Sequence, residues 1–289
     1  MVWLLGSGTA GADISGDMSS VFSKAWIVPD VSGGIAVQWR LFPSNSLTAP
    51  YNFYVDRAES AGEWSRLNTG SPVVDDTVYV DTEAPLTHLV TLPDAWYRVV
   101  LMQGVTEYES DPITGIGAVS ASDWRLVREA VKSQARLISN FTGIPGWLFR
   151  RRHLGEHCTL CWDSQLERTA NTQCTGCYGT GFTGGFYTGF SFPLLRQKIS
   201  PLMKDETVME GFVSNRDMVA TSQAVPQVLP EDVWMHGVTG DHYAVKAADV
   251  KSAYRGLPVL FELRLSRLDD NDRRRLLAPT GYTAPEVFS

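Results

Sequence analysis

Four cysteines fall within twenty residues of one another, as two C-x-x-C pairs separated by twelve residues: Cys158-Thr159-Leu160-Cys161 and Cys174-Thr175-Gly176-Cys177. Each pair places two sulfurs on one tight turn, and two such turns complete a tetrahedron around zinc. Zinc binds thiolates rather than thiols, so binding couples the metal to local folding. Four protein thiolates leave no open coordination position, which makes the expected zinc structural rather than catalytic. Iron in a rubredoxin-like site, or a pair of disulfides, is also compatible with the spacing. A thioredoxin-like redox role is disfavoured, because no βαβ pattern surrounds either pair. Gly176 and Gly179 supply the permissive backbone that lets amides turn toward sulfur. His153 and His157 precede the first cysteine. With four cysteines filling the site, His157 is expected beside it or at the surface, and His88, His236 and His242 are scattered without a partner pattern.

The second pair continues Cys177-Tyr178-Gly179-Thr180-Gly181. It is similar to the C-x-x-C-x-G-x-G repeat of the DnaJ-type chaperone cysteine-rich domain. The first pair departs from that repeat at Trp162 and Asp163, and the chain has no His-Pro-Asp. Only the zinc-knuckle geometry is therefore carried over. The following Gly/aromatic tract, Gly181 to Phe190, has the aromatics of a base-stacking surface but no cation before Arg196, so a loop or hairpin packed over the knuckle is expected. Arg150, Arg151 and Arg152 stand beside Trp147, Leu148 and Phe149. A solvated face is the plain reading, and a contact for a partner's acidic surface or phosphate the sharper one.

The elements that must hold these residues are mainly β. Residues 1–20 are rich in Gly, Ser and Ala, with the first Lys or Arg at Lys24, and are expected to form a flexible arm. Its Trp3, Leu4 and Leu5 are a candidate anchor on a partner. Across residues 21–118, candidate strands cover Ile35–Trp39, Asn52–Val55, Val78–Val80, Leu89–Leu92, Trp96–Leu101 and Val105–Tyr108. Turn residues such as Asn68-Thr69-Gly70 and Gln103-Gly104 separate them, as in a sandwich. Trp39, Tyr54-Val55-Asp56-Arg57, Trp64, Tyr97 and Tyr108-Glu109-Ser110-Asp111-Pro112 resemble a fibronectin type III-like module of the immunoglobulin-like kind. Trp39 and Tyr97 are expected in its core.

Residues 119–145 are expected to form a linking helix. Ser120 with Asp123 fits a capping signature, and Trp124, Val127, Val131, Ala135 and Ile138 recur at helical spacing, ending near Asn140. The zinc knuckle and its Gly/aromatic loop occupy residues 146–192. Residues 193–276 return to β as a small barrel or sandwich, with strands at Val208–Val213, Asp217–Ala220, Val233–Val238, His242–Val245 and Leu257–Ser266. Residues 277–289 are expected to be an extended tail.

Composition bounds the function. Hydrophobic residues at 44% and charged residues at 20% are those of an ordinary globular protein. A net charge of −7 opposes non-specific DNA binding. No apolar run approaches the roughly 20 residues that span a bilayer, and the N-terminus lacks a signal-peptide pattern, so no membrane is expected. No nucleophile elbow, phosphate loop, zinc-protease helix or dinucleotide fingerprint occurs, and an enzyme is not expected. Asp75-Asp76 and Asp269-Asp270 read as solvated turn acids.

The order of arm, sandwich, helix, knuckle and β-rich closing unit resembles the structural virion proteins of tailed bacteriophages, in particular neck or head–tail connector components. In the closing unit, Glu231-Asp232-Val233-Trp234, then Thr239 to Val245, then Arg255-Gly256-Leu257-Pro258 are similar to the small β-barrels of connector and head-closure proteins. The resemblance implies self-association into a ring, contacts with the portal and other neck or tail proteins, and location in the virion after synthesis in the host cytoplasm. Nucleic acid would enter only as DNA passing through a lumen. Two other classes stay open: a tail or baseplate component touching host glycans, which needs an exposed aromatic platform, and a nucleic-acid-binding zinc-ribbon protein, which needs a basic face that includes Arg150, Arg151, Arg152 and Arg168.

Overall fold

A computed structural model describes residues 21–30, 34–42, 47–58, 63–83, 96–114, 121–197, 217–254 and 257–280. The expected strands at Leu89–Leu92 and Val208–Val213, and the arm with Trp3, Leu4 and Leu5, lie outside them. The N-terminal strands are β1 (Phe22–Pro29), β2 (Ile35–Leu41), β3 (Asn52–Ala58), β4 (Ser65–Arg66), β5 (Val73–Val74), β6 (Val78–Asp81), β7 (Trp96–Gln103), β8 (Thr106–Glu109) and β9 (Ile113–Thr114). They form two antiparallel sheets. One has the order β1-β2-β6, and the other β4-β3-β7-β8, with β5 beside β3 and β9 beside β7.

Alternation explains how the two sheets meet. Ile35, Val37 and Trp39 leave one face of β2, Phe53 and Val55 one face of β3, and Tyr97, Val99 and Leu101 one face of β7. These residues share a single buried core. A polar bond also crosses it: Tyr97 Oη donates to Asp81 Oδ2 at 2.9 Å, and Arg57 reaches the same oxygen at 2.7 Å. The other face of the β1-β2-β6 sheet is covered too, because Val28 and Ala36 belong to the C-terminal core and Trp26 and Val80 pack against it. That sheet is thus a middle layer, which is why β2 reads as a nearly unbroken apolar run.

Helix α1 (Ala121–Leu137) continues into a π-helical turn, Ile138–Thr142. Gly143 N–H closes that turn on Ile138 O at 2.8 Å, and Pro145 follows. Val127 and Val131 are buried against Val259, with Leu257 and Leu260 alongside, as the helical spacing requires.

The remaining strands are β10 (Gly146–Phe149), β11 (Trp162–Asp163), β12 (Arg168–Thr169), β13 (Phe190–Ser191), β14 (Leu195–Arg196), β15 (Asp217–Gln223), β16 (Val233–His236), β17 (His242–Tyr254) and β18 (Leu257–Arg267). Seven of them form one antiparallel sheet in the order β13-β10-β16-β17-β18-β15-β14. Its two end strands, β13 and β14, are separated in sequence by Phe192, Pro193 and Leu194 alone. Leu148, Phe192, Leu194, Trp234, Val245, Phe261, Leu263 and Leu265 fill its core. Trp234 satisfies its own buried N–H on Phe192 O at 2.8 Å. The protein is therefore mainly β, with one linking helix. The cysteine segment is an insertion between β10 and β13, two strands of the same sheet, rather than a unit that precedes it.

Candidate metal centre

The insertion begins where β10 ends. Cys158 and Cys161 lie on one turn, with Trp162 N–H on Cys158 O at 3.0 Å, and Cys174 and Cys177 lie on another, with Tyr178 N–H on Cys174 O at 2.8 Å. The short hairpin β11–β12 joins them. Asp163 Oδ1 accepts from the Gln165 and Leu166 amides at its tip, and Ala170 N–H returns to Cys161 O at 2.7 Å. Asn171 caps the second turn through Gln173 N–H at 2.8 Å. The two turns thus face each other because the hairpin folds the chain back on itself.

All four sulfurs lie within 4.8 Å of one another, and all four residues are buried. Cys158 Sγ is 3.8 Å from Cys174 Sγ, and Cys161 Sγ is 3.2 Å from Cys177 Sγ. An ion about 2.3 Å from each of four sulfurs in a tetrahedron sets them roughly 3.8 Å apart, so the cage has the size zinc needs. None of the four is in a disulfide. The buried residues of this cluster are the four cysteines and nothing else, so the segment has no apolar core of its own. A metal ion such as zinc serves as that core.

Electrostatics fit the same conclusion. Burial pushes the Cys161 thiol far up, with the Cys177, Cys174 and Cys158 sulfurs adding to the effect, and burial also raises Cys177. Burial raises Cys174 as well, but the neighbouring Cys161 thiol and the Gly176 and Cys177 amides outweigh it and hold Cys174 at about 7. Four sulfurs this close cannot all ionise without a cation among them. The Gly176 amide is directed at Cys174 and the Gly179 amide at Cys177, the arrangement expected of the knuckle. Gly179 has a φ of 80° and a Cβ there would sit 2.5 Å from Thr172 O, so its place in the turn requires glycine.

The histidines stay outside the cage. His157 is stacked between Trp162, 3.8 Å away at 9°, and Phe182, 5.2 Å away at 23°. Burial lowers His153, as do the charges of Arg151, Arg150 and Arg40. The Gly/aromatic tract packs back on the knuckle as expected: Cys158 N–H bonds Gly181 O at 2.8 Å, and Gly184 N–H bonds Gly176 O at 3.0 Å.

The arginine triplet is occupied within the chain. Arg150 pairs with Asp76 at 2.8 Å, and Arg151 lies 3.7 Å from Glu231. Arg150 and Arg152 cover Tyr187 at 5.3 and 4.7 Å, and Tyr187 Oη donates to Asp75 O. These contacts clasp the metal-bearing insertion to the β5–β6 turn. Asp76 is therefore an ion-pair partner, not the solvated turn acid expected from sequence. Asp270 also meets Arg275 but is 87% exposed, a solvated turn acid as expected. Tyr187 and Asp75–Asp76 are 112 residues apart in sequence, and nothing local marks them as neighbours. Arg168, on β12, is exposed.

No family model matches the chain, and no curated protein matches it either.

Proposed function

We propose that the chain is a structural virion protein of a tailed bacteriophage, assembling as a ring in the neck that joins the portal to the tail. In this reading its work is assembly, and the metal is a staple. The observation that carries it is the C-terminal sheet. Its end strands β13 and β14 are two halves of one stretch, Phe190–Arg196, pairing with β10 on one side and β15 on the other. We take that sheet as a closed small β-barrel, since a sheet whose two edges are one strand has no edge left. Trp234, Tyr243 and Leu265 stand on its adjacent strands, which supports the resemblance to connector barrels. We likewise take the two N-terminal sheets as a fibronectin type III-like sandwich, because they share one core across Trp39, Phe53 and Tyr97.

The other readings have less support. Among the described residues of the outer β3–β4–β7 face, Arg66 lies 4.8 Å over Tyr54 and Arg98 lies 4.7 Å over Trp64. Those rings are covered, so they offer no sugar platform. The arginines beside the knuckle are spent on Asp76, Glu231 and Tyr187, which leaves little for phosphate.

Electron microscopy and mass photometry of the purified protein test the proposal. A ring, or a stable complex with a portal protein, is the expected result. A strict monomer that ignores portal and neck proteins would sink it.

A further inference from the structure

We propose that two copies of this chain join through the distal half of β17, the strands pairing antiparallel about a two-fold axis at Val250. The contact goes beyond the neck reading and does not depend on it, because a two-fold contact closes on itself.

β17 is paired on both sides only at its start. On its β16 side the partners are His242, Tyr243 and Ala244. The last bonds there belong to Val245, whose N–H donates to Asp232 O at 2.9 Å and whose C=O accepts from Glu231 N–H at 2.8 Å. From Lys246 to Tyr254 the strand continues with β18 on one side and, among the described residues, no strand on the other. Unpaired backbone donors and acceptors on an edge are a template for another strand. The edge is open to solvent as well. Val250 is 55% exposed, and Asp249, Lys251, Ser252 and Ala253 are exposed with it.

The charges on this edge are unmet within the chain. Asp249 lies directly across from Glu262 on β18, and like charges in that position cost stability. Among the described residues neither carboxylate has a cation beside it. Lys251 reaches only the neutral Thr221 Oγ1, at 2.9 Å. Thr221 also bonds Gln197 Nε2 at 2.6 Å, so it does not depend on the lysine.

The sequence of the edge says what fits it. Laid antiparallel on itself about Val250, the run Ala248-Asp249-Val250-Lys251-Ser252 sets Asp249 against Lys251 of the partner subunit, and Lys251 against Asp249 of the partner subunit. Val250 then meets its own counterpart on the axis, with small residues to either side. A lone lysine blunts an edge, since two copies would bring like charges together. Asp249, two residues earlier, reverses that effect and makes a second copy the complementary strand in this one register. Each new pair also offsets the repulsion between Asp249 and Glu262. The bulge that β17 shows against β18 between Val250 and Ser252 adds twist here, and the two-fold gives both strands the same twist.

The test is sedimentation velocity over a concentration series on the wild type, Asp249→Lys, Lys251→Asp, and an equal mixture of the two variants. The wild type is expected to self-associate. Each variant alone is expected to associate about tenfold or more weakly, because both of its charge pairs become like-charged. The mixture is expected to regain the wild-type affinity, since every pair across the axis is again opposite. That recovery also shows that both variants fold. A mixture no tighter than its components, or a wild type that stays monomeric at every concentration, would overturn the contact. Rings that form equally well in the wild type and both variants, with no loss of association, overturn it too and leave the neck reading standing. Wild-type pairs that follow this charge pattern but never build a ring or bind a portal uphold the contact and sink the neck reading.

Discussion

Cys177 is fully buried, and its sulfur faces three others with no apolar side chain to share the interior of the insertion. Cys174→Ser should therefore cost most of the bound zinc, from about one ion per chain to a small fraction, by metal analysis after dialysis. Retention of full zinc would refute the four-thiolate cage. Asp232 offers a pH handle. Its carboxylate accepts from the Arg151 amide at 2.7 Å and the Leu229 amide at 2.8 Å. Burial nonetheless outweighs these bonds and the nearby Arg150 and Arg151, and pushes the group up from 3.8 to about 7. The folded chain then holds a proton, between those two values, that the unfolded chain has lost. The stabilisation is complete below the unfolded pKa and is lost as pH rises to about 7, with a slope of at most about 1.4 kcal/mol per pH unit. Urea titrations at several pH values should show this slope, and Asp232→Asn should flatten it. Tyr97→Phe leaves the core filled but strips Asp81 of one donor, at a cost of about 1–2 kcal/mol, readable in the same titrations. The cysteines and the two core aromatics were legible in the sequence because side-chain type alone marks them. Asp232 and Asp76 were not, since a carboxylate acquires its meaning from what surrounds it.

Strands whose two faces differ were the readable elements. β3, β7 and β18 alternate over most of their length, and each was expected within a few residues of where it lies. The helix was equally plain, with Val127, Val131, Ala135 and Ile138 all buried. β17 was recognised only at His242–Val245 although it runs to Tyr254. Its pairing with β18 is irregular between Val245 and Ala247 and again around Val250 and Ser252, so the alternation breaks where the strand continues. β10 was read as the start of the knuckle, because Gly146 and the arginines after it do not look like a strand. Gly146 is there for packing: a Cβ would stand 2.3 Å from the Trp234 ring and 2.6 Å from Met235 O. Gly146→Ala should cost about 1–3 kcal/mol and lower the denaturation midpoint without changing zinc content.

At the scale of the molecule, the metal should govern one region and leave the rest standing. The insertion depends on the cage, whereas the two large cores are built from apolar side chains and share the β1-β2-β6 layer. Chelation should therefore raise hydrogen exchange across residues 157–185 and at the Asp75–Asp76 turn clasped to it, while β3, β7, β16 and β18 stay protected. Global unfolding on chelation would contradict this. The sequence by itself determined the cysteine cage, the mainly β class and the one α-helix among the described residues, since each follows from residue type at fixed local spacing. Only the tertiary structure decided that the cysteine segment is an insertion between two strands of one sheet, and that its arginines are spent on a distant turn. Those facts depend on pairings distant in sequence, from Leu148 with Phe190 to Tyr187 with Asp75, which leave no periodic trace in the chain. The sequence marks a metal cage; the fold places it in a segment inserted between β10 and β13 and clasped to the β5–β6 turn by Arg150 and Tyr187.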